Sequence, residues 1–210
     1  MDFSDTPEEA AFRADVQKFL NANATLRKPG DPAQRVRYLE GPEPLRAAKA
    51  WQAKKADAGY AGITWDARWG GRGGTPIQQV IYNQEERRYN VPRGFFEIGL
   101  GMCIPTMMTY ATQEQCERYV RPALRGEEIW CQLFSEPSGG SDVAGSRTKA
   151  VLAPDGSGDW LISGQKVWTT GAQFSDFGIV ICRTNPDVPK HKGLTMFWLD
   201  MRSPGVEVKP

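Results

Sequence analysis

The chain has 210 residues, with 26 basic side chains against 25 acidic ones and a formal net charge of +1. That length can bury one large core or two modest ones, and the charge balance leaves no field to draw nucleic acid or an anionic membrane. Four cysteines, Cys103, Cys116, Cys131 and Cys182, lie without a Cys-x-x-Cys pair, which points to reduced thiols in a cytoplasmic protein. The N-terminus lacks the basic-then-apolar pattern of a secretory signal, and no apolar run approaches the roughly 20 residues that span a bilayer.

Helical patterns fill the first part. Thr6-Pro7-Glu8-Glu9, Thr75-Pro76-Ile77-Gln78 and Thr112-Gln113-Glu114-Gln115 each set a threonine three residues before a Glu or Gln, the spacing of reciprocal N-terminal capping. In the first two, proline takes the first helical position, where its missing N–H is harmless. Phe12, Val16, Phe19 and Leu20 recur at helical spacing behind the first cap and read as a core face. So do Ile77, Val80, Ile81 and Gln84 behind the second, and Cys116, Tyr119 and Val120 behind the third. A further helix is expected from about Pro44 to Ala58, ending at Gly59, and Phe95 to Thr109 reads as an apolar, glycine-interrupted segment buried in the helical bundle. Glu85-Glu86 followed by Arg87-Arg88 reads as a solvated helix face. Polar loops are expected around Arg27 to Pro42 and Asn185 to Lys192.

At Gly126 the pattern changes. Ile129 to Ser135, Arg147 to Leu152, Trp160 to Ser163, Val167 to Thr170, Phe177 to Arg183, Leu194 to Asp200 and Val206 to Lys209 are short runs rich in β-branched and aromatic residues. Turn signals such as Pro154-Asp155-Gly156-Ser157-Gly158 separate them, as in an antiparallel barrel or sandwich. The expected chain is therefore an α+β multidomain protein, with an all-α N-terminal domain over 1–126 and a β middle domain over 127–210. His191, the only histidine, stands between Lys190 and Lys192 in a polar loop and reads as solvated, so no metal site is assigned. Trp51, Trp65, Trp69, Trp130, Trp160 and Trp198 read as core or interface residues.

Two segments carry the chemistry. The first is Gln132-Leu133-Phe134-Ser135-Glu136-Pro137-Ser138-Gly139-Gly140-Ser141-Asp142; the second is Ile162-Ser163-Gly164-Gln165-Lys166-Val167-Trp168-Thr169-Thr170-Gly171. In order and spacing they resemble the flavin-binding middle domain of the acyl-CoA dehydrogenase family. Trp65 to Gly74 and Ala111-Thr112-Gln113-Glu114-Gln115 resemble, less specifically, two signatures of its N-terminal domain. The resemblance implies bound FAD. An isoalloxazine needs a flat apolar wall with hydrogen-bonding groups around its rim. By motif position Trp168 would pack on the ring face turned from substrate, and the Thr170 hydroxyl would bond N5. Thr169 belongs to the same stretch, and Gln132, Phe134 and Ser135 would meet the pyrimidine edge. Ser141 would contact both the pyrophosphate side of the cofactor and the CoA thioester, with the glycines letting backbone amides approach oxyanions. The family commonly reads Glu-Pro-Gly-Ala-Gly-Ser-Asp, so Ser138 stands at its first glycine, where a positive φ would be strained.

The implied activity is α,β-dehydrogenation of an acyl-CoA, with electron-transferring flavoprotein as acceptor and a homo- or hetero-oligomeric assembly. The family's catalytic carboxylate lies in a C-terminal helical domain expected beyond Pro210, so no catalytic residue is assigned here. A fragment, a subunit completed by a second polypeptide, or a product that has lost catalysis would each account for this. The alternatives are a flavin-binding or structural subunit without catalysis, and an oxidase or flavin monooxygenase on the same fold. The Phe95 to Thr109 segment is the expected wall of an acyl pocket.

Overall fold

The computed structural model describes residues 4–30 and 41–209; positions 31–40 of the expected Arg27 to Pro42 loop lie outside the described residues. The chain divides into two compact units, residues 1–96 with 110–127, and residues 97–109 with 128–210.

In the first unit the capping signals act where the sequence places them. Helices α1 (Pro7–Asn23), α3 (Pro76–Glu86) and α5 (Gln113–Leu124) begin behind Thr6, Thr75 and Thr112, each closing a capping box with Glu9, Gln78 or Gln115. Helix α2 spans Glu43–Asp57. A two-residue antiparallel pair that the sequence did not signal joins β1 (Thr25–Leu26) to β2 (Tyr89–Asn90). Phe12, Val16 and Leu20 of α1 pack with Trp51, Tyr60, Ile63, Ile81, Tyr82, Tyr89 and Val91. Tyr60 lies between Phe19 and Tyr82, with ring centroids 4.8 and 5.2 Å away. Gly126 ends α5 at φ 73°, and a Cβ there would come within 2.9 Å of the Gln52 side chain. Only glycine serves both demands. Gln52 in turn donates to the Leu124 carbonyl at 2.8 Å, tying α2 to the end of α5.

Helix α3 is rotated from its expected face. Ile77 and Val80 are exposed, while Glu85 and Glu86 are buried beside Ile81 and Tyr82. The reason is charge satisfaction. Glu85 accepts from Arg13, Gln17 and Arg88 at 2.9, 3.1 and 2.7 Å. Glu86 accepts from the Trp51 indole and the Tyr82 hydroxyl at 3.1 and 3.0 Å and pairs with Lys55 and Arg93. Burial alone would lift the Glu85 carboxyl, but hydrogen bonds from Arg13, Gln17 and Arg88 outweigh it and hold the group below its ordinary value. Once every lone pair has a partner, a carboxylate can sit inside.

The second unit is a five-stranded sheet with β6 (Phe177–Arg183) as its spine. Strand β3 (Trp130–Leu133) pairs with it in parallel and β7 (Leu194–Asp200) antiparallel. Strands β4 (Lys149–Leu152) and β5 (Trp160–Ser163) form an antiparallel hairpin that joins β6 in parallel through Lys149 and Arg183. The sheet is thus mixed, where an antiparallel one was expected, because along the chain the β4–β5 hairpin separates β3 from β6 and lets β6 return beside β3 in the same direction. Ala150, Val180 and Cys182 pack with Leu133, Ile162, Phe197 and Leu199 on one face. Val167 to Thr170 and Val206 to Lys209 form no strand. Residues 97–109 pack with this sheet and not within the helical bundle: Gly99, in a π-helical turn Gly99–Cys103, approaches Trp130 so closely that a Cβ would lie 3.1 Å from its Cβ. The Cys103 thiol, just before α4 (Ile104–Tyr110), donates to the Cys131 carbonyl at 3.4 Å.

Replacing Glu86 by alanine leaves Trp51, Tyr82, Lys55 and Arg93 without their shared acceptor and is expected to destabilise the protein by about 3–5 kcal/mol. Urea unfolding followed by tryptophan fluorescence checks this, and a loss below about 1 kcal/mol would show that the network is not a stabilising element.

Candidate functional site

The two motif segments meet through a buried polar centre that the sequence reading did not single out. Glu136 and Lys166 have side chains 6% exposed apiece, with Lys166 Nζ 2.9 Å from Glu136 Oε1. Lys166 also donates to the Phe134 carbonyl and to Ser146 Oγ, both at 3.1 Å, which uses all three ammonium donors. Glu136 Oε1 accepts from Ser146 Oγ at 2.5 Å and from the Thr148 amide at 2.9 Å, and Oε2 accepts from the Arg147 amide at 2.7 Å. Burial would raise the Glu136 pKa. The hydrogen bonds from Ser146, Lys166 and the two amides prevail and hold it far below the usual carboxylate range.

Backbone bonds extend the join. The Val167 amide donates to the Ser135 carbonyl at 2.9 Å. Ahead of it, Gly164 passes so near Thr148 that a Cβ would lie 2.4 Å from Oγ1 and 2.7 Å from Cα. Any side chain at Gly164 would push the second segment away. Phe134 and Ser135, half-buried, therefore adjoin the stretch Val167 to Thr170, and Gln132, half-buried, precedes them on β3 opposite Ile179.

Glu136 and Gly139 exchange backbone bonds of 3.0 Å around Pro137 and Ser138, a tight turn for which proline presets φ. Ser138 has no positive φ, nor do Gly139 and Gly140, so the departure from the family pattern leaves the turn unstrained. Gly140 folds back to within 3.3 Å, at its Cβ position, of Ser135 Oγ. Ser141 follows, exposed, and Asp142 pairs with Lys190 at 2.7 Å. The Arg183 guanidinium donates to the Ala144, Ser146 and Lys190 carbonyls, fixing the short turn beyond.

Strain sits instead at Trp168. Among the described residues it is the only one other than glycine with positive φ, at 58°, and its side chain is exposed, the whole residue to 92%. A bulky residue in the left-handed region costs about 1–2 kcal/mol, and such outliers gather at ligand sites. This conformation, followed by Gly171 at φ 80°, is why Val167 to Thr170 leaves the strand geometry expected of it. Thr169 Oγ1 is buried with no hydrogen-bond partner among the described residues, and Thr170 is exposed. A flat indole, an unused buried hydroxyl and an exposed one thus stand in sequence beside the Phe134–Ser135 strand end. That donor set fits the polar rim and apolar face of a flavin. The cysteines do not compete for chemistry: burial pushes Cys103 up to about 12 and Cys131 and Cys182 up to about 11, so none is a ready thiolate. His191 is exposed in a short turn, Lys190–Lys192.

Comparison with known proteins agrees with this architecture. Residues 6–127 match the family model "Acyl-CoA dehydrogenase, N-terminal domain" and residues 131–210 match "Acyl-CoA dehydrogenase, middle domain", and the chain belongs to the acyl-CoA dehydrogenase family. It is 46% identical over 159 residues to acyl-CoA dehydrogenase FadE34 of Mycobacterium tuberculosis, covering 76% of this chain and 22% of that protein. It is 35% identical over 214 residues to acyl-CoA dehydrogenase IpdE1 of Mycolicibacterium smegmatis, covering 97% and 53%. Its structure resembles a chain of the ChsE4-ChsE5 complex from Mycobacterium tuberculosis with TM-score 0.72 and 26% identity, over 96% of this chain and 49% of that one. The chain spans about half the length of IpdE1 and less of FadE34.

Two outcomes are expected from this geometry. Trp168→Gly removes left-handed strain while giving up little burial, so unfolding free energy should rise by about 1 kcal/mol; a fall of that size would mean that the indole packs. For Glu136, the folded pKa is depressed, so its stabilisation is present above the ordinary value of 4.5 and is lost as pH falls towards the folded value. Thermal midpoints should therefore drop below pH 4.5, and Glu136→Gln should flatten that acid limb. An unaltered limb in the variant would contradict the assignment.

Proposed function

We propose that this chain forms the N-terminal and middle portions of an FAD-dependent acyl-CoA dehydrogenase, with residues 1–126 as the helical domain and 127–210 as the flavin-binding domain. The observation that carries the reading is the Val167–Ser135 backbone bond, which sets an exposed indole and two threonines against the strand end and turn of the first motif. In this reading the Trp168 indole covers one flavin face and Thr170 Oγ bonds N5. Thr169 belongs to the same cofactor-binding stretch, and Gln132, Phe134 and Ser135 line the pyrimidine edge. Ser141 meets the cofactor's pyrophosphate side and the thioester end of the substrate. Bound FAD would supply the two-electron acceptor for α,β-dehydrogenation of the thioester.

A base must also remove the α-proton, and Glu136 is unsuited to it. Both its oxygens already accept hydrogen bonds, and its buried pair with Lys166 disfavours protonation. We assign the base to the remainder of the enzyme or to a partner chain, which the likeness to a subunit of the ChsE4-ChsE5 complex supports. Electron-transferring flavoprotein as acceptor and a cytoplasmic setting complete the proposal.

The test is turnover of an acyl-CoA panel by the complete protein, with and without an artificial electron acceptor. Acceptor-dependent formation of enoyl-CoA is expected; sustained peroxide without acceptor would favour an oxidase. In the same preparation, Trp168→Ala with Thr170→Ala should weaken FAD retention by at least about tenfold, or about 1.4 kcal/mol. Unchanged occupancy would overturn the site assignment.

A further inference from the structure

Lys166 and Glu136 lie within the two motif segments, yet neither is among the groups assigned above to touch flavin or substrate. Their burial needs a reason. Replacing a buried ion pair by apolar residues of similar volume is often neutral or stabilising, so such a pair is poor evidence of a stability device. This one has unusual completeness: each Lys166 donor is used, and Glu136 takes bonds from two side chains and two amides. Its contacts also reach both segments at once. Lys166 holds the Phe134 carbonyl, while its own backbone lies two residues before Trp168. The Val167 amide, between them, holds the Ser135 carbonyl.

We propose that Lys166 and Glu136 are positioning residues for the flavin, a self-neutralising pair that fixes the strand end at Phe134–Ser135 against the Trp168–Thr170 stretch and keeps net charge off that wall. The inference rests on the flavin reading above. It has an electrostatic consequence that packing alone does not share. In a low-dielectric site an uncompensated cation favours the electron-rich reduced ring and an uncompensated carboxylate disfavours it. Removing either partner therefore shifts the flavin midpoint potential in opposite directions.

The experiment uses the complete protein at saturating FAD, comparing wild type, Glu136→Gln, Lys166→Met and the double variant by spectroelectrochemical titration and FAD dissociation constant. Glu136→Gln should raise the potential, Lys166→Met should lower it, and the double variant should return it towards wild type. FAD binding in each single variant should weaken by about tenfold or more, equivalent to about 1.4 kcal/mol. Shifts of the same sign in both singles, or none, would overturn the inference. Should a single variant fail to fold, the charge-neutral double decides: near-wild-type potential with weakened FAD binding supports the proposal, and wild-type affinity overturns it. A wild-type protein without FAD would overturn the flavin reading and this inference with it, whereas FAD-bound wild type with unaltered variants overturns this inference alone.

Discussion

The join between the two motif segments centres on one buried charge pair. Glu136 follows Phe134 and Ser135 beyond the end of β3, and Lys166 opens the stretch that carries Trp168 to Thr170; the Lys166 bond to the Phe134 carbonyl, the Val167 bond and the close passage of Gly164 join the two as well. Desolvating both ions is expensive, and the arrangement holds because each has every polar partner it can use. The same completeness removes Glu136 from acid–base chemistry. The pair acts with the Val167–Ser135 backbone bond to hold two short lengths of irregular backbone together.

Trp168 carries the backbone strain beside that join. A large apolar side chain exposed on a left-handed backbone loses on two counts, steric strain and unburied surface. The neighbouring Thr169 hydroxyl oxygen is buried without a partner among the described residues, a third unfavourable element within two residues. Their concentration beside a glycine-bearing turn is the ground for the proposed cofactor wall. A planar ring laid on the exposed indole would bury it, which is why the proposed flavin wall is put there.

Much of this was legible in residues alone. The three capping boxes fixed helix starts because they are local and self-contained, and the β-branched runs located β3, β4, β5, β6 and β7. The motif pair identified the family. What escaped were features decided by distant partners. The apolar spacing of α3 pointed to Ile77 and Val80, but buried acceptors for Arg13, Trp51 and Tyr82 turned Glu85 and Glu86 inward. Strand direction in the sheet depends on how β6 returns past the hairpin, which no local signal records. The run Val167 to Thr170 has strand-like composition, yet its φ at Trp168 answers to tertiary constraint. Lys166 offered the one available clue, a charge within an otherwise β-rich segment, and its meaning required knowing that Glu136 lay across from it.

Amide hydrogen exchange of the complete protein, with and without added FAD, tests the central claim most directly. If the two segments form one wall for the cofactor, FAD should slow exchange across 134–141 and 166–171 together, leaving the β4–β5 hairpin loop at 153–159 unaffected. Protection of only one segment, or of neither while FAD is bound, would contradict it.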